Sequence, residues 1–190
     1  MPYNFFKNIL FNENAPSKEL ELIPLPYSKT DLEPVFSEDA LFYHYNKLAQ
    51  TYVDRYNKRE GDLDFNEAGA FLHNIYFPQF QRIAASNEPN GPALEFIIKH
   101  HKSFENFKKE FLEVAMGIQG SGWVYLAKDG DIKIITNHQI RQDIMLLVDW
   151  WEHAWALDYK WDKKKYLENT WKVINWNVIS ARLGLQTTNV

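Results

Sequence analysis

Residues 149–154 read Asp-Trp-Trp-Glu-His-Ala and directly follow an apolar run, Met-Leu-Leu-Val, at residues 145–148. A short apolar run of this kind is typical of a buried strand. If a helix begins after it, the four-residue step from Asp149 to His153 points both side chains the same way. A carboxylate and an imidazole held side by side suit a transition metal. Further ligands for such a site would have to come from elsewhere in the chain.

Composition restricts what those ligands can be. The chain has 190 residues and no cysteine. Disulfides and thiolate metal sites are therefore excluded, and a transition metal must be held by His, Asp, Glu or solvent. Aromatic residues make up 16% of the chain, which is consistent with flat side chains around a site and equally with a bulky core.

Charge and hydropathy argue against two classes of partner. The formal net charge is −4, and the longest cationic run, residues 163–165, is more typical of a solvated helix face than of a nucleic-acid site. No segment has 18 apolar residues in succession, so no membrane span is expected. Residues 1–22 lack the basic start and the apolar run of a secretory signal. We therefore expect a cytoplasmic protein.

Two predicted helices in the first half each carry one histidine. A cap at Ser37, followed by acidic residues, predicts a helix over about 39–56 that contains His44. After a polar Arg-Glu-Gly-Asp break, a second helix is predicted over about 66–85 and contains His73. Two helices joined by a short link form an antiparallel hairpin.

The second half predicts both helices and strands. Residues 87–92 read Asn-Glu-Pro-Asn-Gly-Pro, the strongest chain break in the sequence, and a helix with apolar residues at helical spacing follows over 103–118. Asp-Gly at 129–130, between two apolar runs, predicts a β-hairpin. The run at 145–148 predicts a third strand, and a final helix is predicted over about 164–182.

Together these elements predict an α+β protein. An N-terminal antiparallel α-hairpin precedes a C-terminal α/β domain with a small three-stranded antiparallel sheet. We divide the chain into an N-terminal extension at 1–24, the hairpin domain at 25–88 and the C-terminal domain at 89–190. The last boundary lies in the Pro- and Gly-rich break.

Histidines in these elements are the candidate partners of Asp149. The chain has six, at His44, His73, His100, His101, His138 and His153. Three imidazoles and one carboxylate suit a redox-active first-row metal such as iron or manganese, and ligand type alone does not exclude zinc. The same chemistry leaves open that the histidines are scattered and structural.

The order of several short motifs resembles the iron/manganese superoxide dismutases from about residue 25 to residue 183. These motifs are Leu-Pro-Tyr at 25–27, Leu-Glu-Pro at 32–34, Tyr-His-Tyr at 43–45, Tyr-Val at 52–53, Phe-Asn at 65–66 with His73, Gly-Ser-Gly-Trp at 120–123, Asp-Trp-Trp-Glu-His-Ala at 149–154 and Asn-Trp at 175–176. By this resemblance, one iron or manganese ion per chain is held by His44, His73, Asp149 and His153. Such an ion would join the two domains and stabilise their docking.

The resemblance also implies roles for residues around the ion. Tyr52 looks like the family's gateway tyrosine, whose hydroxyl helps deliver protons to the site. Trp123 and Trp151 match aromatic residues that wall the metal pocket, and Glu152 is expected beside it. For the tryptophans, plain core packing is an equally good interpretation.

One further position of the family has two alternative sources. A Gln or His that hydrogen-bonds the metal-bound solvent comes either from the second helix or from the loop before the third strand. Gly69 stands at the helix position and has no side chain to offer, so the resemblance points to His138 in the loop. A shift of one residue would make it Gln139 instead. Such a donor tunes the potential of the metal.

Two departures from the family bear on assembly. Leu48 and Ala156 stand where relatives have a His and a Tyr that hydrogen-bond each other across a dimer interface. Because both partners are missing together, neither leaves an orphaned polar group. We expect a homodimer that disproportionates superoxide to dioxygen and hydrogen peroxide, as an oxidoreductase. The alternative is a catalytically weak or silent dismutase-like structural or assembly protein.

Overall fold

The structure, a computed structural model, describes residues 19–84 and 86–184. Most of the predicted extension at 1–24 therefore lies outside the described residues. Along the chain run α1 (38–57), α2 (Leu63–Tyr76), α3 (Gly91–His101), α4 (Phe104–Met116), β1 (Gly122–Ala127), β2 (Ile132–Thr136), β3 (Ile144–Asp149), α5 (Glu152–Tyr159), α6 (Lys163–Thr170) and α7 (Trp176–Gly184).

Helix α1 starts where its cap predicts. Ser37 Oγ accepts a hydrogen bond from Ala40 N at 3.1 Å, which satisfies one of the free N–H groups of the first turn. In the middle of α1, the segment Phe42–Ala49 winds more widely, as a π-helix. Such widened turns are rare in proteins overall, and those that occur often lie at functional sites. His44 lies in this one.

Helix α2 ends earlier than its sequence pattern predicts. It runs over Leu63–Tyr76 and passes into a single 3₁₀ turn, Phe77–Gln79, whereas the predicted end was near residue 85. Pro78 has no N–H and cannot continue the helical hydrogen bonds. The chain leaves the helix extended at Phe80, whose backbone forms a bridge with Ile174.

The sheet has the strand order β2-β1-β3, and both pairings are antiparallel. The β1–β2 hairpin turns at Asp129-Gly130, and Gly130 has a φ of +95°, a conformation that favours glycine. All six residues of β3 are buried, and the strand ends at Asp149. The predicted three-stranded antiparallel sheet is confirmed.

The second half contains one helix that was not predicted and one predicted helix that proves to be divided. Helix α3 was not predicted, although Pro92 in its first turn is a favoured start. The single helix predicted over about 164–182 is divided into α6, a 3₁₀ turn Trp171–Val173, and α7. It breaks there because residues 173–175 pair with the chain that leaves α2: Gln81 N donates to Val173 O, and Asn175 N to Gln79 O.

The hairpin and the sheet share one hydrophobic core, which includes Trp123, Trp150 and Trp176. Helix α2 packs against β3, so the two halves of the chain meet where β3 ends. The predicted fold class, a helical hairpin followed by an α/β domain, is confirmed. In the described ranges, every helix is too short or too polar to cross a membrane.

Candidate metal centre

Four side chains that are distant in sequence converge where the hairpin meets the sheet. His44, His73, Asp149 and His153 each offer one ligand atom, and the four atoms lie within 4.8 Å of one another. Asp149 Oδ2 lies 3.1 Å from His44 Nε2, 3.3 Å from His153 Nε2 and 3.7 Å from His73 Nε2. The Nε2 atoms of His44 and His73 are 3.2 Å apart. The structure thus brings together all four residues of the predicted ligand set.

This spacing suits a shared ion better than a hydrogen-bond network. Atoms that bind one metal at about 2.1 Å, at right angles to each other, are about 3 Å apart. His153 Nε2 is buried and makes no hydrogen bond with the described residues, although it lies within ion-pair distance of Asp149 Oδ2. A central cation would satisfy that nitrogen. The site therefore fits a metal, and its nitrogen and oxygen donors suit iron or manganese.

The elements that carry these residues explain the convergence. His44 lies in the π-helical part of α1, and His73 lies near the end of α2, which packs beside it. Asp149 ends β3, and His153 is in the first turn of α5, after the bend at Trp151. Trp151 N donates to Asp149 Oδ1 at 2.8 Å, which leaves Oδ2 facing the histidines.

Hydrogen bonding fixes which nitrogen of His73 can bind a metal. His73 Nδ1 donates to Gly69 O at 2.7 Å, so its Nε2 presents a lone pair to the centre. Burial lowers the pKa of His73 well below its usual value, and the neighbouring His44 lowers it further. Burial also lowers the pKa of His44, against the hydrogen bond to Asp149, which raises it. Both imidazoles are therefore neutral at pH 7, the form that a metal requires.

Asp149 carries the negative charge of the centre. Burial by itself raises the pKa of its carboxyl, but the electrostatic effect of His153 and the close contacts of His153 and His44 outweigh burial and lower that pKa. The carboxylate is fully buried. Its backbone carbonyl accepts a hydrogen bond from Tyr166 Oη at 2.8 Å, and Tyr166 in turn meets Tyr76. The two tyrosines were not predicted as site residues, because no local pattern marks a contact across 90 positions.

Aromatic rings enclose the four ligand atoms. Trp123 packs edge-on against His73, with ring centroids 5.1 Å apart, and Phe77 lies 4.9 Å from His44 in the same manner. Trp151 stacks on His153 at 5.7 Å. Trp123 and Trp151, which the resemblance places in the wall of a metal pocket, therefore each contact a histidine of the ligand set. Apolar rings lower the local dielectric constant, which strengthens the electrostatic interactions between the groups they surround.

His138 lies beside the centre and has a defined tautomer. Its ring stacks on Trp151 at 4.6 Å. Trp123 Nε1 donates to His138 Nδ1 at 3.1 Å, so the ring proton is on Nε2, which donates to Tyr52 Oη at 3.0 Å. Burial lowers the pKa of His138 to about 4, so the ring is neutral at pH 7. Gln139, the alternative, is exposed and pairs with Arg141.

Gly69 contributes space rather than a side chain. A Cβ added at Gly69 would lie 2.9 Å from Tyr52 Cγ, closer than real contacts allow. The bare helix backbone therefore lets the Tyr52 ring lie flat on α2, within reach of His138. Burial raises the pKa of Tyr52 to about 12, and the charge of Asp149 raises it too, so the phenol keeps its proton.

Three other residues named from the sequence lie at the surface near the site. Glu152 is exposed, and its carboxylate makes no hydrogen bond or ion pair with residues 19–84 or 86–184. Leu48 is 37% exposed, and Ala156 is partly exposed. None of the three touches the four ligand atoms within the chain.

Two family models match the chain. The alpha-hairpin domain of the iron/manganese superoxide dismutases matches residues 19–62, and the C-terminal domain of the same family matches residues 89–182. His44 falls in the first match, and Asp149 and His153 fall in the second. His73 lies between them.

Curated relatives agree with these models. An iron superoxide dismutase of Bacteroides fragilis is 38% identical over 190 residues, which cover 86% of this chain and 98% of the relative. A Mn/Fe superoxide dismutase of Porphyromonas gingivalis is 35% identical over 188 residues, 85% of this chain and 98% of the relative. An iron enzyme of Pyrobaculum aerophilum is 32% identical over 196 residues, 88% of this chain and 93% of the relative. With both domains matched and relatives aligned along most of its length, the chain belongs to the iron/manganese superoxide dismutase family.

Proposed function

We propose that this chain disproportionates superoxide to dioxygen and hydrogen peroxide at one iron or manganese ion. The observation that carries the proposal is the convergence of three imidazole nitrogens on Asp149 Oδ2; one of these nitrogens is buried and makes no hydrogen bond with the described residues. His44, His73, Asp149 and His153 would hold the ion. Relatives of this chain are named superoxide dismutases with iron or with either metal.

When bound, the ion supplies the redox step, taking an electron from one superoxide and giving it to a second. The protein's part is to hold the ion's potential between those of the two half-reactions. A buried carboxylate favours the more oxidised ion, because its charge is poorly screened in the dry pocket. The aromatic walls formed by Trp123 and Trp151 maintain that low dielectric.

Protons for peroxide would come through Tyr52. Its hydroxyl oxygen accepts from His138 Nε2, so its own proton is free to point towards the substrate. The raised pKa of Tyr52 keeps that proton in place until it is needed. Trp123 holds His138 in the tautomer that this arrangement requires. His138 is thus proposed as the residue that orients Tyr52.

Two wider features belong to the same proposal. The ion would join the hairpin domain, at residues 25–88, to the C-terminal domain at 89–190, since each supplies two ligands. A homodimer is proposed through the surface that carries Leu48, Glu152 and Ala156, which are at least partly exposed beside the site. A cytoplasmic location is part of the same proposal. Light scattering coupled to size exclusion tests the dimer.

The test of function is metal analysis paired with a superoxide assay on the same preparation. Apoprotein is loaded separately with iron and with manganese, and a metal-free sample is the control. We expect one ion per chain and activity with at least one metal. A protein that holds a full complement of either ion and is inactive with both would overturn the enzymatic proposal and favour the assembly alternative.

A further inference from the structure

Gln79 completes the free edge of the sheet with its side chain. It is fully buried, and its amide makes two hydrogen bonds to the backbone of Leu147 in β3. Gln79 Nε2 donates to Leu147 O, and Leu147 N donates to Gln79 Oε1 at 3.1 Å. Strand β3 is at the edge of the sheet, so both groups of Leu147 point away from β1. The amide of Gln79 therefore takes the place of a fourth strand at this one residue.

Arg182, from α7, joins the same junction. Its guanidinium donates to Ile75 O at 2.7 Å, to Met145 O at 2.8 Å and to Gln79 Oε1 at 3.3 Å. It forms no ion pair with a carboxylate in the described part of the chain. Burial lowers its pKa to about 10, so it remains charged at pH 7. Ile75 O belongs to the last turn of α2, where free carbonyls and the helix dipole favour a cation.

These contacts join the two segments that carry metal ligands. Ile75 lies two residues after His73 in α2, and Leu147 lies two residues before Asp149 in β3. We propose that Gln79 and Arg182 are positioning residues: they fix α2 against β3 and so set the distance between His73 Nε2 and Asp149 Oδ2. Neither residue touches a ligand atom. The inference rests on the proposed metal site and adds what holds its two halves in register.

The physical reason is that buried hydrogen bonds are directional, so they fix the relative position of α2 and β3 more closely than apolar packing does. A slide of α2 on β3 would leave the buried amide of Gln79 and the partly buried guanidinium of Arg182 without their hydrogen-bond partners. Such a slide would weaken metal binding, because the ligand atoms must be held close to the geometry that the ion requires. Supporting contacts of this kind change metal affinity when they are removed.

The test compares two variants that each lose an amide bonded twice to backbone. Gln79→Leu removes the junction, and Asn57→Leu is the matched control. Asn57 bonds both ways to the backbone of Leu20 on the outside of the hairpin, at 2.8 Å and 2.9 Å, away from β3. Arg182→Lys is the milder probe, because lysine keeps the charge but cannot bridge Ile75 O and Met145 O together.

Manganese(II) affinity is measured by chelator competition, together with the electron paramagnetic resonance spectrum of the bound ion and urea unfolding of each apoprotein. We expect Gln79→Leu to bind manganese about tenfold more weakly, with an altered spectrum. Arg182→Lys should also weaken manganese binding and alter the spectrum, but less than Gln79→Leu does. Asn57→Leu should lose stability while keeping wild-type affinity and spectrum.

Wild-type affinity and spectrum in folded Gln79→Leu would overturn the inference, as would equal weakening in Asn57→Leu. If Gln79→Leu does not fold, Arg182→Lys decides on the same two readouts. Failure of the wild-type chain to bind manganese or iron would instead overturn the proposed function, so the two failures are distinguishable.

Discussion

Two buried histidines that face carboxylates, His73 and His101, have opposite surroundings. In the metal centre, three imidazole nitrogens face one oxygen of Asp149. In the second cluster, which we name the α3–α4 latch, His101 lies between Glu110 and Gly130. Its Nδ1 is 2.5 Å from Glu110 Oε2, and its Nε2 is 2.9 Å from Gly130 O.

The difference shows that the hydrogen-bond partners of the ring nitrogens, and not burial, decide whether a histidine can bind a metal. His73 and His101 are both buried. His73 has one carbonyl acceptor, Gly69 O, and therefore keeps a lone pair for a metal. His101 has an oxygen at each ring nitrogen, so both nitrogens are already engaged within the fold. The latch therefore ties α3, α4 and the β-hairpin together.

The largest expected effect is on metal content, when a histidine of the metal centre is replaced and the result is compared with replacement of the latch histidine. His73→Ala removes a ligand that is fully buried, and we expect tight metal binding to be abolished. His101→Ala is the control, because it also removes a buried imidazole but should keep one ion per chain. Elemental analysis after dialysis measures both. Unchanged metal content in His73→Ala, or lost metal in His101→Ala, would contradict the comparison.

A third kind of buried histidine is His138, which has a donor at one nitrogen. Burial lowers its pKa from 6.5 to about 4. Between these values the unfolded chain binds a proton that the folded chain does not, so folding stability falls as the pH drops from about 6.5 to about 4. The total loss is on the order of 3 kcal/mol.

The variant that isolates this loss is His138→Gln. Glutamine can still accept from Trp123 and donate to Tyr52, but it does not titrate. Urea unfolding of the two apoproteins from pH 7 to pH 4 should show the wild type losing on the order of 3 kcal/mol relative to the variant. Parallel pH profiles would show that His138 is not held neutral by its surroundings.

The four converging residues were predicted as a set from the family resemblance. The residue pattern alone paired only Asp149 with His153 and left open that the other histidines are scattered and structural. The hairpin turn at Gly130 and the buried strand before Asp149 were also predictable from local composition. The contacts that give the ligands their chemistry were not. Trp123 meets His138 across 15 positions and Gln79 meets Leu147 across 68, and no local periodicity reports such pairs.

Helix ends show the same limit. A repeating apolar pattern continues past Tyr76, yet Pro78 and the pairing of Phe80 with Ile174 end α2 there. The same pairing divides the predicted last helix at 171–175. Tertiary contacts therefore override local propensity where segments far apart in the chain form a bridge.

Gly69→Ala tests how the metal centre makes room for Tyr52. The added Cβ would lie 2.9 to 3.0 Å from three ring carbons of Tyr52, so the ring must move off α2. Overpacking of this kind costs about 2 kcal/mol. We expect that loss in urea unfolding, with metal content unchanged because Gly69 O still accepts from His73 Nδ1. Wild-type stability would mean that α2 and Tyr52 separate freely.

The smallest expected effect concerns the latch. Its hydrogen bond from His101 is the main cause that lowers the pKa of Glu110, against a smaller effect of burial. A carboxyl with a lowered folded pKa stabilises the fold above its unfolded pKa, and this stability is lost as the pH falls through the folded value. The Glu110 side chain is 42% exposed, so screening limits the contribution to below about 1 kcal/mol.

Glu110→Gln should therefore lower stability at pH 7, and the difference from wild type should vanish towards pH 3. Glu113→Gln, on the same helix with an exposed side chain that forms no ion pair with the described residues, is the control for net charge. A Glu110→Gln deficit that persists unchanged at pH 3 would mean that the latch depends on shape rather than on the charge of its carboxylate.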